Sequence, residues 1–106
     1  MGKYLIRGSF TQDGLKGVLK EGGTSRRKAV AALAESVGGS LESYYFAFGD
    51  DSYFITIDMP DDETAASVAL TVGASGAVEV STVKLLTPEQ IDAAVKRTPT
   101  YRAPGH

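Results

Sequence analysis

Arg7, Tyr44, Tyr45, Thr56, Asp58 and Lys84 lie in runs with the period of β-strands, and their side chains combine cations, phenols, a hydroxyl and a carboxylate. A rigid sheet that gathered them could bind a small polar ligand, and they form the candidate ligand-binding set. Glu42 belongs to the same strand-borne polar group. A one-residue change of register moves a side chain to the opposite face, so the sequence leaves open whether all of them share a face. The simpler reading makes Tyr44 and Tyr45 core and interface aromatics, with Arg7, Asp58 and Lys84 in a solvated or intersubunit charge network. The only histidine is His106, the last residue of a Pro-containing segment, where a general base would lack preorganisation. With no cysteine, disulfides, thiolate catalysis and sulfur-based zinc sites are excluded, and acid–base chemistry falls to Tyr, Lys, Asp and Glu.

Two further groups suggest ions. Asp50-Asp51 with Asp58 or Asp61-Asp62 are oxygen donors for a hard cation, but their spacing lacks the pattern of a calcium loop. Turn and helix-cap duty explains them more simply, so no metal site is assigned. Gly22-Gly23-Thr24-Ser25-Arg26-Arg27-Lys28 places glycines and hydroxyls ahead of a helix whose first turn holds three cations. Free backbone donors there could take an anion, although the cations oppose the helix dipole and the spacing is not that of a phosphate-binding loop. No cofactor motif is present, and none is expected.

The elements that must position these residues follow from periodicity. Lys3 to Phe10 alternates Tyr4, Ile6 and Phe10 against Leu5, Arg7 and Ser9, as a strand does. Thr11 to Lys20 has Leu15, Val18 and Leu19 at helical spacing, weakened by Gly14 and Gly17, so packing must hold it. After Gly22-Gly23, Thr24 or Ser25 can cap a second helical piece with Val30, Leu33, Ala34 and Val37 on one stripe. Whether the two pieces form one kinked helix is left open. Ser40 to Phe48 and Ser52 to Met59 read as strands around a tight Gly49-Asp50-Asp51-Ser52 turn. Pro60 ends the second of them and Asp61 caps a helix with Ala65, Val68, Ala69 and Val72 inward. Ala77 to Leu86 is a fourth strand, with Val78 and Val80 opposite Val83 and Leu85. Thr87-Pro88-Glu89-Gln90 is a capping box that opens a short helix.

At 106 residues, 42% hydrophobic and 23% charged, the chain fits one domain over residues 1–97 and an extended tail over 98–106. A net charge of -2 gives no general attraction to phosphate backbones, which argues against nucleic acid. No apolar run approaches the roughly 18 residues of a membrane span, and no leader precedes the first strand, so a cytoplasmic protein with no membrane partner is expected.

The fold class is α+β. The order β-α-β-β-α-β matches a ferredoxin-like two-layer sandwich with both helices on one sheet face, followed here by a short C-terminal helix. The other face, with Phe54 beside Thr56 and Asp58, would be left uncovered, and a partner subunit or ligand is the simplest cover.

One set of features runs through Gly14-Leu15, Gly17, Gly22-Gly23, Arg26-Arg27, Gly38-Gly39 and Phe46-Ala47-Phe48-Gly49. It continues through Pro60-Asp61-Asp62, Gly76 and Leu85-Leu86-Thr87-Pro88-Glu89 and covers most of the chain. In these residues the chain resembles the GYD-domain proteins, small bacterial proteins of largely unknown function. The naming Tyr and Asp are replaced by Asp51 and Ser52. The resemblance implies a ferredoxin-like or dimeric α/β-barrel fold and brings no catalytic residue.

Three functions fit these features. The preferred one is a homodimer or larger oligomer whose open sheet faces pack together and enclose a small molecule, between subunits or in the barrel. The second is a cofactor-free oxygenase or isomerase with a polar pocket, by analogy of fold alone. The third is a regulatory or scaffolding subunit for another protein, suggested by the exposed tail 98–106, in which Tyr101 and Arg102 could also lay an aromatic anchor across a neighbouring subunit.

Overall fold

The computed structural model describes Met1–His106. Its elements run β1 (Gly2–Phe10), α1 (Gln12–Glu21), α2 (Gly23–Ser36), β2 (Ser40–Phe46), β3 (Tyr53–Met59), α3 (Asp62–Ala74), β4 (Val78–Leu85) and α4 (Pro88–Val95). The strands form one antiparallel sheet in the order β2-β3-β1-β4, consistent with the ferredoxin-like arrangement. β2 and β4 are its two edges, so within one chain the sheet is open and no barrel is closed.

The strict alternation of β3 sets the layers. Tyr53, Ile55, Ile57 and Met59 are buried beneath the helices, while Phe54, Thr56 and Asp58 point to the other face. Val30 and Ala34 of α2 and Ala65 and Val68 of α3 complete the core with Tyr4, Ile6 and Val78 from the flanking strands. Met59 and Ile57 are the largest fully buried side chains. Truncating such a residue to alanine costs about 2–5 kcal/mol.

One question left open by the sequence is settled, and three local outcomes differ from its expectation. The first two helical pieces are separate helices, because Gly22 at φ 83°, ψ 173° breaks the path in a region that residues other than glycine rarely enter. Gly22 itself occupies the N-cap of α2, and neither Thr24 nor Ser25 caps it. α1 buries no residue, with Leu19 86% and Leu15 49% exposed. It is anchored instead through its N-cap, where the Thr11 hydroxyl accepts from the Gly14 amide and donates to the Gly76 carbonyl at 2.7 Å. β2 stops at Phe46, and the Ala47 amide to Ser52 carbonyl bond at 2.9 Å closes a loop that leaves Phe48 fully exposed, not in a strand.

A bulge between Leu41 and Ser43 opposes two residues of β2 to one of β3. Leu41 pairs with the buried Ile57, but Ser43 pairs with the outward Thr56. The phase of the strand therefore reverses, which sends Tyr44 to the helix side and Tyr45 to the open side.

Asp61 caps α3 through the Thr64 amide at 2.8 Å, and the Thr87–Gln90 capping box is formed. Nonetheless α4 buries no residue. With the residues after it, it extends the molecule to 56 Å in its longest dimension and the radius of gyration to 16.9 Å. A compact chain of this length has a radius of about 13 Å.

Candidate functional site

α2 leans on β2 and β3 while α3 leans on β4 and β3, and the two helices splay apart over the sheet. Between them lies an apolar cleft with about 500 Å³ of empty space, its solvent-open mouth included. Ile6 and Ile55 form its floor, Val30 and Leu33 line the α2 wall, and Val68 and Val72 line the α3 wall. Aromatic rings close one end: Phe10 lies 5.3 Å from Tyr53 and 6.2 Å from Phe46, and Tyr44 lies 5.0 Å from Phe46, centroid to centroid.

Two polar side chains enter this apolar space, Arg26 and Thr82. The Arg26 Nε and the Thr82 Oγ1 are buried and have no hydrogen-bond partner in the protein. Burial raises the Tyr44 phenol above its ordinary value, with the Arg26 guanidinium beside it acting in the opposite direction. Burial likewise pushes Tyr53 up to about 12, and its hydroxyl donates to the Glu79 carbonyl at 2.8 Å.

The structure divides the six candidate ligand-binding residues. Arg7, Tyr45, Thr56 and Asp58 lie on the open face, whereas Tyr44 lines the cleft and Lys84 sits on the helix side of β4, paired with Tyr4. On the open face Lys3 bonds Asp58 at 3.1 Å and also Glu42. Glu42 in turn accepts from Thr56, whose hydroxyl meets that of Ser43 at 2.6 Å. Both carboxylates, Glu42 foremost, hold the Lys3 ammonium above its ordinary value. Arg7 pairs with Asp51 at 2.7 Å and lies 5.9 Å from the centre of the Phe54 ring. Beyond these polar groups Leu5 and Leu85 are partly buried, while Phe54, Val83 and Tyr45 are 37%, 40% and 69% exposed.

At one end of the helix side, the Tyr4 hydroxyl donates to Asp62 at 2.5 Å and accepts from Lys84 at 3.3 Å. Its bond to Asp62 raises the Tyr4 phenol, while the same bond and the Lys84 charge lower the Asp62 carboxyl. Lys84 is raised, first through Tyr4. Every one of these shifts fixes its group more firmly in the protonation state it already has at neutral pH, which is the reverse of tuning for proton transfer. The acidic residues singled out in the sequence are dispersed: Asp51 pairs with Arg7, Asp58 with Lys3, Asp61 caps α3 and Asp62 serves Tyr4. No group of three or more His, Asp or Glu converges as metal ligands do.

Sequence reasoning missed Thr82 and Tyr53 as cleft residues and placed Arg26 only in an anion-binding helix start. Thr82 had a signal. It follows Val78 and Val80 at a spacing of two, so it is a polar residue in an inward strand position.

No curated protein and no solved structure matches the chain. The GYD domain family model matches residues 4–95, from the first strand to the end of α4. That span includes both walls of the cleft and all six candidate residues, and on this match the chain belongs to the GYD-domain family.

Proposed function

We propose that the protein is a homo-oligomeric, ligand-binding module in which two copies pair through the open faces of their sheets, giving a dimeric α/β barrel. The observation that carries this reading is the open face itself, where Phe54 and Val83 are exposed and Leu5 and Leu85 are only partly buried. Contiguous apolar surface on a rigid sheet is a contact surface by its energetics. A second copy suits it because Lys3 and Arg7 share the face with Glu42, Asp58 and Glu79, so neither sign dominates and the face complements itself. Tyr45, exposed beside Phe54, supplies an aromatic anchor of the kind that dominates such contacts.

Sedimentation equilibrium at micromolar concentration tests the pairing. The expected mass is twice 11.1 kDa for the wild type, and Phe54→Glu, which sets like charges against each other across the contact, returns the single-chain mass. A wild-type protein that sediments as one chain overturns the reading.

A further inference from the structure

We propose that the cleft between α2 and α3 binds a small hydrophobic carboxylate, its anionic group on Arg26 and its apolar body against the sheet. The site is on the side of the sheet opposite the pairing face and does not depend on pairing.

Three observations converge on this ligand. The cleft is concave, lies between two helices and the sheet, and opens to solvent at its mouth, as small-molecule sites do. Of its 15 lining residues 13 are hydrophobic, which suits an apolar body and offers a buried water few of the two to four polar partners it needs. The two exceptions, Arg26 and Thr82, each bury a polar atom that no protein group satisfies, and buried polar atoms in native proteins are paired.

The chemistry selects the class. Arg26 makes no ion pair, and the Nε edge of a guanidinium receives two oxygens of a carboxylate side by side. Arg26 is the sole cation in the lining. One cation balances a monoanion; a phosphate monoester would carry nearly a second, uncompensated charge into apolar surroundings. Thr82, one residue type with both donor and acceptor capacity, takes a hydroxyl or carbonyl on the ligand body.

Benzoate, cinnamate and octanoate, each compared with its primary amide, are the probes, titrated against the full chain and followed by backbone amide NMR. The expected result is saturable shifts at Val30, Tyr44 and Thr82 but not at Val83 on the open face. At least one acid should bind about tenfold more tightly than its amide. Arg26→Gln should abolish the preference for acid over amide while the amide affinity stays unchanged, and Thr82→Val should weaken the acid a few-fold. The proposal is overturned if no acid binds, if acids and amides bind the wild type equally, or if shifts gather at Val83. The comparison within the wild type holds even if a variant misfolds. The mass in solution, measured on the same samples, reports pairing separately.

Discussion

At the scale of single residues, the raised tyrosine phenols should contribute to the loss of stability at alkaline pH. Tyr53 has its phenol raised from 10.0 to about 12 by burial first, with Tyr44 and Asp51 adding to it and Arg26 opposing. The folded state therefore holds this proton more tightly than the unfolded chain. The corresponding stability is complete below about pH 10 and is lost as the pH rises toward about 12. Tyr4 and Tyr44, also raised, act in the same direction. The urea midpoint should fall between pH 10 and 12, and Tyr53→Phe should flatten that fall. At neutral pH the same variant should be less stable by about 1 kcal/mol, since the Glu79 carbonyl loses its donor. A variant with the full wild-type alkaline slope would assign the loss to other groups. At the acid end Asp61 and Asp62 are lowered below 3.8, Asp61 by its bonds to Thr64 and Asp62 by Tyr4 and then Lys84. Their contribution is present above pH 3.8 and disappears as the pH drops through the lowered values. Tyr4→Phe should make the acid fall of the urea midpoint shallower.

At the scale of elements, two helix boundaries behave differently because one is packed and the other is not. Gly22→Ala forces a side chain into the backbone region at φ 83°, ψ 173°, at a cost of about 1–3 kcal/mol, read as a lower urea midpoint. Thr87→Ala removes half of the capping box of α4, a local cost of about 1 kcal/mol. Since α4 buries no residue, this loss should appear as lower helical circular dichroism with an unchanged urea midpoint for the rest of the chain. If the midpoint drops with the helicity, α4 is docked in solution. The elements themselves were largely legible. The inward set Tyr53, Ile55, Ile57 and Met59 and the caps at Asp61 and Thr87 stand as their spacing predicts. The bulge was not legible, because Glu-Ser-Tyr-Tyr contains no glycine or proline to mark it and each register has one tyrosine inward.

At the scale of the whole molecule, the body and the C-terminal arm are distinct in their energetics. The radius of 16.9 Å exceeds the compact expectation because residues after β4 lie away from the core. Deleting residues 98–106, all exposed but Ala103, should leave the stability of the remaining chain to urea within about 0.5 kcal/mol of the original. A larger loss would mean that the tail docks on the body or on a second copy. The apolar open face and the cleft occupy opposite sides of the sheet, so an assembly through one leaves the other accessible.

The sequence by itself determined the element order, the faces of β3 and β4, and the caps of α3 and α4, because these depend on spacing along the chain and on turn chemistry. Tertiary structure decided which polar residues meet. Arg26 and Thr82 are separated by about half of the chain, and they enter one cleft only because α2 and α3 splay on a sheet whose order places β1 between β3 and β4. Which of Tyr44 and Tyr45 faces the helices is decided by a single bulged residue. Strand pairing and helix spread are contacts between distant segments, set by the packing of the whole core, and no local pattern contains them.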